Sequence, residues 1–389
     1  MLFSLALALA AATAALATAP HSDAKFALTS IPSTPDARRT VVATSRASSG
    51  NNVKLFDYFN GTDLQWYGQL SLGTPLQNFT VVFDTGSVSL EVPGVACGAA
   101  CANQRQFDPS KSSTFQDEDY NTTVTFGTGI GVDPVVGNNW EMDLAFVADV
   151  LVVGDINVPL GGFFLITNQT STFLPDPFDG IMGLSPDMGD FFADAGLPAI
   201  FGMWFTPKSG KAEGAGELTL GGVDTTKFKE PLLYSPIVND AWQPTSQGIF
   251  VNDKTTSTLN KTFPITFDSG TSNILFVEET ALAIYNLISP DIVANPDEPG
   301  TFGIACDRIP TLPAVISIQF AGIPGQGSFN LTIPSSELSS GPFTNKPELC
   351  QTLINVSEGF NLIGLSLLKH YYTAWDINGT RMGFSPNGF

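Results

Sequence analysis

Short apolar runs, separated by glycine, proline and asparagine, cover most of the chain, and this pattern is typical of many short β-strands. We predict strands in the five clearest runs, at residues 66–72, 80–83, 144–153, 216–220 and 316–320. Residues 278–288 instead carry apolar side chains at helical spacing and are predicted to form an α-helix. Shorter helical turns are predicted near residues 190–192 and 366–370. The pattern therefore predicts a mostly β protein.

The first 19 residues form an apolar stretch rich in alanine and leucine that ends in Ala17-Thr18-Ala19. This ending matches a signal-peptidase cleavage pattern, so residues 1–19 are predicted to be a signal peptide. The stretch lacks the usual basic start, and a membrane anchor that is not removed is the alternative. Because no later segment is long and apolar enough to span a bilayer, we expect a secreted protein with no membrane association. An acidic vacuole is the alternative destination.

Charge is distributed unevenly along the chain. The sequence has 37 acidic and 17 basic side chains, which give a net charge of −20 at pH 7. Residues 20–54, however, carry five Lys or Arg against two Asp. A body this acidic is not expected to bind nucleic acid or an anionic membrane. The basic leader on an acidic body predicts a propeptide at residues 20–55 that is held by charge, and a disordered polar tail is the alternative.

Two further features support a secretory product. Eight N-x-S/T sequons occur, at Asn60, Asn78, Asn121, Asn168, Asn260, Asn330, Asn355 and Asn378. Each is a candidate for N-glycosylation, although several can go unused. Four cysteines allow three pairings, and we favour the local pairs Cys97–Cys101 and Cys306–Cys350. A zinc site is the alternative, which neither the spacing nor a nearby histidine supports.

The sequence contains an internal repeat. The first half has Phe83-Asp84-Thr85-Gly86-Ser87, and the second half has Phe267-Asp268-Ser269-Gly270-Thr271-Ser272. An apolar run with a central glycine follows each motif, and Gly183 and Gly364 lie 99 and 96 residues after the respective Asp. One motif can recur by chance, but the same pair at matching offsets indicates two related halves. We place these halves at residues 56–232 and 233–389.

The repeated motif predicts a carboxylate at a sharp turn after a buried strand. Gly86 and Gly270 allow backbone conformations closed to other residues and let a ligand approach the main chain. The hydroxyls of Ser87 and Thr271 are close enough in sequence to hydrogen-bond the carboxylates. The hydroxyls of Thr85 and Ser269 can bond across the interface between the halves. An Asp that only caps its own turn is the alternative for a single copy, but two symmetric copies favour a paired site.

Two carboxylates brought together in a buried cleft cannot both ionise easily. One proton is then shared, so the pair offers a general base and a general acid at once. The base takes a proton from a water molecule that attacks a peptide carbonyl, and the acid polarises the carbonyl oxygen. Asp84 and Asp268 are therefore predicted to hydrolyse peptide bonds without a cofactor, a metal or a covalent intermediate.

An ordered series of motifs extends from about residue 54 to the end of the chain. The series comprises Gly73-Thr74-Pro75, Asp84-Thr85-Gly86-Ser87, Phe107-Asp108-Pro109-Ser110, Phe126-Gly127-Thr128-Gly129, Phe178-Asp179-Gly180-Ile181-Met182-Gly183-Leu184, Trp242-Gln243, Asp268-Ser269-Gly270-Thr271-Ser272 and Tyr371-Tyr372-Thr373-Ala374-Trp375-Asp376. This series resembles the pepsin family of aspartic proteases. The resemblance implies a bilobal all-β fold with a substrate cleft between two barrel-like lobes. It also implies polypeptide substrates, a monomer, and a propeptide that inhibits the enzyme within the same chain.

The resemblance assigns roles to individual residues. Asp84 and Asp268 are the implied catalytic pair of an acid endopeptidase. A β-hairpin flap is implied near residues 126–129, and the implied substrate contacts are Gly86, Phe126, Gly127, Thr128, Gly270 and Thr271. Support of the catalytic pair is implied for Thr85, Ser87, Ser269 and Ser272.

Four positions depart from the pepsin-family pattern. Phe126 stands in place of the flap Tyr, Glu91 in place of a Trp after the first motif, Ala241 in place of an aromatic residue, and Leu365 in place of an Asp. We expect Glu91 to face solvent. Alternatively, the changes at Phe126 and Glu91 are coupled, and the flap closes with fewer polar restraints.

A binding or inhibitor protein that has lost catalysis on the same fold is the alternative function. Such proteins usually lose an Asp or the adjoining glycine or hydroxyl, whereas both motifs are intact in this chain. His370 is the only histidine after the leader, and H-E-x-x-H and G-x-S-x-G motifs are absent from the sequence. The common zinc-protease and serine-hydrolase sites are therefore excluded.

Overall fold

The computed structural model describes residues 24–29, 65–129, 135, 137–206 and 215–387. The predicted signal peptide lies outside these residues, as does the sequon at Asn60. Of the predicted propeptide, only strand β1 (Ala24–Thr29) is described. None of the helices in the described part is both long and apolar enough to cross a membrane.

The first half of the described chain forms a seven-stranded sheet. Its strands are β2 (Tyr67–Leu72), β3 (Gln77–Asp84), β4 (Leu90–Pro93), β5 (Gln116–Thr125), β6 (Glu141–Val153), β7 (Ile156–Gln169) and β8 (Gly180–Gly183). They are arranged in the order β2-β3-β8-β4-β7-β6-β5. β2 also pairs with β6, through Ser71 and Val152 and through Leu72 and Leu151. This additional pairing closes six of the strands into a barrel.

Strand β3 is one of the six strands of this barrel. It is flanked by antiparallel β2 and parallel β8, and it is buried from Phe79 to Asp84. A continuous run of buried β-branched and aromatic side chains is typical of a strand that is covered on both faces. Asp84 therefore reaches the protein interior at the end of a rigid element.

The second half of the described chain is built from smaller sheets. Its strands are β12 (Thr245–Val251), β13 (Phe263–Pro264), β14 (Thr266–Phe267), β15 (Ile274–Phe276), β16 (Val293–Ala294), β17 (Phe302–Ala305), β18 (Ile316–Phe320), β19 (Phe329–Ile333), β20 (Ser339–Phe343), β21 (Lys346–Thr352), β22 (Ile354–Val356) and β23 (Leu362–Ile363). They form sheets in the orders β13-β12-β18-β19, β14-β23-β15-β22 and β16-β17-β21-β20.

A further sheet joins the two halves. It contains β1 together with β9 (Ile200–Thr206), β10 (Ala215–Leu220), β11 (Leu233–Pro236), β24 (Tyr371–Asp376) and β25 (Arg381–Pro386). The order is β1-β10-β9-β24-β25-β11, so β9 of the first half pairs with β24 of the second half, and the leader strand lies at one edge. The bilobal all-β fold implied by the sequence is confirmed.

The helices of the described chain are short: α1 (Gly189–Asp194), α2 (Glu278–Ile288) and α3 (Leu365–Leu368). The predicted helix at residues 278–288 is confirmed at both ends. The predicted turns near residues 190–192 and 366–370 correspond to α1 and α3. The five predicted strands all coincide with observed strands, and the strands that were not singled out range from the two-residue β13 to the 14-residue β7.

Aromatic rings hold the halves together behind the cleft. The Phe201 ring lies 5.8 Å from that of Trp242 and 5.7 Å from that of Trp375, and the two indoles are 5.2 Å apart. Trp242 Nε1 donates a hydrogen bond of 2.8 Å to the Leu184 carbonyl of the first half. The Trp-Gln motif therefore has a structural role at the interface between the halves.

Both favoured disulfides are bonded in the structure. Cys97 and Cys101 close a short 3-10 helical segment, Val95–Cys101. Cys306 and Cys350 connect the residue after β17 to β21, its neighbour in the sheet.

The buried carboxylate of Asp179 fixes the strand that carries Asp84. Asp179 Oδ2 accepts hydrogen bonds from the Thr80 backbone N–H and hydroxyl, at 2.8 and 2.9 Å. The same carboxylate accepts from the Arg105 backbone N–H at 2.7 Å and from the Arg105 guanidinium at 2.8 Å. Asp179 thereby ties the start of β8 to β3, four residues before Asp84.

We predict that Asp179→Asn destabilises the protein by about 3 kcal/mol, because an amide cannot accept from all of these donors and leaves buried groups unsatisfied. The free energy of unfolding in urea measures this effect. Lys111→Ala is the control, because it removes only an ion pair whose lysine side chain is 71% exposed. Equal losses in the two variants would contradict the proposed role of Asp179.

Candidate active site

Each repeated Asp follows a buried strand that runs parallel to a second strand. Asp84 ends β3 and lies opposite Gly183 of β8. Asp268 follows β14, whose Phe267 lies opposite Ile363 of β23. The two halves therefore build the same local arrangement.

This arrangement explains the matching glycines of the repeat. A Cβ added to Gly183 would lie 2.6 Å from the Ser89 backbone nitrogen, and one added to Gly364 would overlap the Thr271 carbonyl oxygen. The segment after each Asp crosses directly over the glycine and bonds to it, through Gly183 N–H to the Ser89 carbonyl and Gly364 N–H to the Asn273 carbonyl. Any side chain at these glycines would displace the segment.

The turn after each Asp binds its own carboxylate. The Gly86 N–H donates to Asp84 Oδ1 at 2.8 Å, and the Gly270 N–H donates to Asp268 Oδ1 at 2.7 Å. The Thr271 hydroxyl donates to Asp268 Oδ2 at 2.6 Å. These bonds fix the orientation of both carboxyl groups.

The two turns also bind each other. The Thr85 N–H donates to Ser269 Oγ at 3.1 Å, and the Ser269 N–H donates to Thr85 Oγ1 at 2.9 Å. Each hydroxyl donates in turn to a carbonyl of the opposite half, from Thr85 to Phe267 at 3.1 Å and from Ser269 to Phe83 at 2.6 Å. The predicted bonding across the interface is therefore present and reciprocal.

This bonding brings the two carboxyl groups together. A Cβ added to Gly86 would lie 2.6 Å from Asp268 Cγ, and one added to Gly270 would overlap Asp84 Oδ1. Asp84 and Asp268 are only 8% and 5% exposed. The glycine of each turn thus makes room for the carboxyl group of the other half.

The environment of Asp268 favours its protonated form. Burial raises the pKa of the Asp268 carboxyl well above its ordinary value, and the charge of Asp84 and a hydrogen bond between the two carboxyl groups raise it further. The hydrogen bonds from Thr271 and Gly270 lower this pKa but do not outweigh burial. The arrangement can hold one proton across a closely spaced pair.

Comparison with known proteins identifies this geometry. A family model described as eukaryotic aspartyl protease matches residues 65–387. The chain belongs to this family. Pepsin A of Sus scrofa is 30% identical over 343 residues, which cover 84% of this chain and 82% of the relative. Gastricsin of Cavia porcellus is 28% identical over 355 residues, which cover 87% of this chain and 84% of the relative. The protein is an aspartic endopeptidase.

One predicted hydroxyl contact is absent from this aspartyl protease. Ser87 Oγ is buried and makes no hydrogen bond with the described residues, so the predicted bond to Asp84 is wrong. Ser272 Oγ likewise has no hydrogen bond there. Ser272 lies one residue beyond Thr271, whose hydroxyl donates to Asp268. The backbone carbonyl of Ser272 accepts from the Ser366 N–H. Within the described part of the chain, only Thr271 therefore donates a side-chain hydroxyl to the pair.

The predicted flap begins where β5 ends. Phe126 and Thr128 line a pocket together with Asp84 and Gly270. Gly127 faces the second half, because a Cβ built on it would lie 3.9 Å from the Phe360 ring. Residues 130–134 and 136, farther along the predicted hairpin, lie outside the described residues.

The Phe126 ring is held by aromatic contacts. It meets the Phe173 ring at 5.6 Å, and Phe173 meets Trp140 edge-on at 4.9 Å. The Phe126 N–H donates to the Trp140 carbonyl at 2.9 Å. No sequence motif singled out Trp140 or Phe173, because they lie on separate elements and only the fold brings them together.

The expectation that Glu91 faces solvent is wrong. Glu91 is 3% exposed, because its strand β4 is an inner strand of the sheet that pairs with β8 on one side and with β7 on the other. Its Oε1 accepts from the Ser89 hydroxyl, and its Oε2 has no hydrogen bond to the described residues. Ile181, directly opposite Glu91, lines the same pocket as Asp84. Glu91 therefore lies beside the active site, within the sheet.

Among the described residues, no group of three or more His, Cys, Asp or Glu side chains is placed to hold a metal ion.

We predict that Glu91 makes the folded protein less stable as the pH rises. Burial raises the pKa of Glu91 from 4.5 to about 8, the Asp84 charge adds to this, and the Ser89 hydrogen bond lowers it. The folded protein thus keeps a proton that the unfolded chain has lost, and stability falls from about pH 4.5 to 8 by up to about 5 kcal/mol. Glu91→Gln removes this dependence and should gain stability relative to wild type as the pH increases.

Urea unfolding between about pH 5.5 and 7.5 tests this expectation. Glu118→Gln is the matched control, because Glu118 is an exposed glutamate on β5. A stability difference between Glu91→Gln and wild type that stays constant with pH would contradict the assignment.

Proposed function

We propose that Asp84 and Asp268 are the catalytic pair with which this aspartic endopeptidase hydrolyses internal peptide bonds of polypeptides. The observation that supports this assignment is the mutual approach of two buried carboxyl groups, each seated against the glycine of the opposite turn. Both motifs are intact, so an inactive binding protein on the same fold is not favoured.

In the proposed mechanism one proton resides on Asp268, as its raised pKa favours. The carboxylate of Asp84 removes a proton from a water molecule, and the resulting hydroxide attacks the peptide carbonyl carbon while Asp268 gives its proton to the carbonyl oxygen. The tetrahedral intermediate then loses the amine, which takes up the proton from Asp84. The C–N bond breaks, a carboxylic acid and an amine form, and Asp268 regains its proton from the intermediate's hydroxyl.

The substrate contacts follow from the same geometry. Gly86 is exposed beside the pair and lets an extended peptide approach the main chain. Gly270 and Thr271 border the pair from the second half, and Phe126, Gly127 and Thr128 cover it from the flap. These six residues are proposed to bind the substrate.

We predict that Asp84→Asn and Asp268→Asn each lower kcat by about 10²–10⁴-fold or more, because an amide can neither accept nor hold the shared proton. Cleavage of a fluorogenic peptide between about pH 3 and 5, the range between the two pKa values of such a pair, measures this. Asp240→Asn is the matched control, because Asp240 is an exposed turn residue at φ 48°, a conformation that Asn tolerates, and the change creates no N-x-S/T sequon. Full activity in either active-site variant would exclude the mechanism.

We also propose that the enzyme is made as a secreted, monomeric precursor with an inhibitory propeptide. Strand β1 pairs antiparallel with β10, from Ala24 opposite Leu220 to Thr29 opposite Ala215. This pairing supports a leader that is seated on the enzyme by backbone bonds at a sheet edge as well as by charge. Acid protonates the carboxylates of the body, so the attraction of the basic leader weakens.

The sequons fit this secretory route with one exception. The exposed candidates among the described residues are Asn78, Asn121, Asn168, Asn260, Asn330 and Asn378. Asn355 is 7% exposed and accepts a hydrogen bond from Gln351, so the folded protein does not present it for glycosylation.

We predict that the precursor is inactive near neutral pH and becomes active on acidification. Replacing the leader's five basic residues with Gln should shift the pH of activation upward, because the attraction to the acidic body is removed. Peptide cleavage and the mass of the protein, followed over pH, measure both events. The control replaces Ser30, Ser33 and Ser45 with Ala and leaves the leader's charge unchanged. Full activity of the uncleaved precursor at neutral pH would contradict this proposal.

A further inference from the structure

The cavity beside Asp84 is small. Its volume is about 40 Å³. A cavity that holds a benzene ring has a volume of about 150 Å³, whereas a single water molecule needs only about 10–15 Å³. A long or aromatic substrate side chain therefore does not fit into this cavity, but a few water molecules do.

Gln65 brings an unsatisfied acceptor to this cavity. The residue lines the cavity and is 2% exposed, and its Oε1 has no hydrogen bond with the described residues. Its Nε2 donates to the Gly270 carbonyl at 3.4 Å. Gln65 precedes β2 of the first half, and Gly270 belongs to the turn that binds Asp268. This side-chain amide therefore connects the two halves beside the catalytic pair.

Trp140 brings an unsatisfied donor to the same cavity. The residue is 3% exposed and lines the cavity, and its Nε1 has no hydrogen bond with any described residue. Its carbonyl accepts from the Phe126 N–H at 2.9 Å. Its ring also meets the Phe173 ring, which in turn meets that of Phe126. Backbone and ring contacts therefore hold the indole N–H at the base of the flap.

A donor and an acceptor that line one cavity without bonding each other indicate water between them. Buried polar atoms nearly always have a partner, because leaving them without one is unfavourable. Cavities that stay empty are apolar, whereas a buried water molecule typically makes about three hydrogen bonds to polar groups. A water molecule in this cavity can accept from Trp140 Nε1 and donate to Gln65 Oε1. Asp84, in the same lining, offers a third partner.

We propose that this cavity is a water-binding site, through which Trp140 and Gln65 connect the flap to the turn at Gly270. The bridge runs from the Trp140 N–H through the water to the Gln65 amide, and from that amide to the Gly270 carbonyl. It supplies a polar restraint on the flap, although Phe126 itself has no hydroxyl group. Trp140 and Gln65 are therefore positioning residues. This inference rests on the proposed function, because the restraint acts on the reaction only if Asp84 and Asp268 are the catalytic pair.

A high-resolution crystal structure of the protein without added peptide tests the water directly. We expect an ordered water molecule within about 2.7–3.2 Å of both Trp140 Nε1 and Gln65 Oε1. Trp140→Phe keeps an aromatic ring and lacks the N–H, so the water should be lost from this position in that variant. An empty cavity in the wild-type protein, or a water molecule that contacts only one of the two side chains, would overturn the proposal.

Cleavage kinetics with a fluorogenic peptide test the positioning role. Trp140→Phe and Gln65→Met each remove one end of the bridge, and Gln65→Met serves as the second test if Trp140→Phe does not fold. Each should raise KM about 3- to 10-fold, because a less restrained flap binds the peptide less tightly. The catalytic turns stay intact, so kcat should change less than about twofold. The double variant should have the KM of the weaker-binding single variant, because either change alone breaks the bridge.

Trp66→Phe is the matched control. Trp66 Nε1 is also buried without a hydrogen bond to the described residues, but Trp66 packs against Phe205 at 5.0 Å and is not among the described residues that line the cavity. This variant should keep the wild-type KM. An unchanged KM in both bridge variants, a loss confined to kcat, or KM effects that multiply in the double variant would each contradict the bridge. Absence of peptide cleavage by the wild-type enzyme would instead contradict the proposed function.

Discussion

The reciprocal hydrogen bonds between Thr85 and Ser269 are the constraint on which the site depends. Each residue donates its N–H to the hydroxyl of the other, and each hydroxyl donates to a carbonyl of the opposite half. Two acidic side chains would otherwise separate, because burial and mutual repulsion both disfavour a second charge. The backbone bonds hold the turns together regardless of the protonation of the carboxyl groups, so a shared proton becomes the favourable way to relieve the repulsion.

The elements around this contact keep the turns in place. Glycines 183 and 364 let the chain cross closely behind each carboxylate, and Trp242 connects the halves through the Leu184 carbonyl. One buried acid of the first half, Glu91, lies near Asp84, whose charge adds to the effect of burial in raising the pKa of Glu91. An interior of this kind suits an acidic medium, in which such a group is protonated.

The sequence predicted those parts of the site that lie within one short segment. The two Asp motifs, the glycines that follow them, the bilobal fold and helix α2 each leave a local pattern. Glu91, Gln65, Asp176 and Trp140 leave none, because their burial results from segments far apart in sequence, as does the pocket that Gln65, Asp176 and Trp140 line. Glu91 illustrates this limit, since a charged residue between apolar neighbours favours an exposed edge, whereas β4 is an inner strand. The hydroxyl of Ser87 shows that matching motifs do not guarantee matching hydrogen bonds.

The two turns act as one unit, and a double-mutant cycle on Thr85→Val and Ser269→Ala tests this most directly. Each substitution removes the hydroxyl that the other turn uses. Because the turns act together, the double variant should lose no more kcat/KM than the more damaging of the two single variants. This result corresponds to a coupling energy of about 0.5–3 kcal/mol between the two residues. Losses that multiply independently, or single variants with unchanged kcat/KM, would contradict the claim.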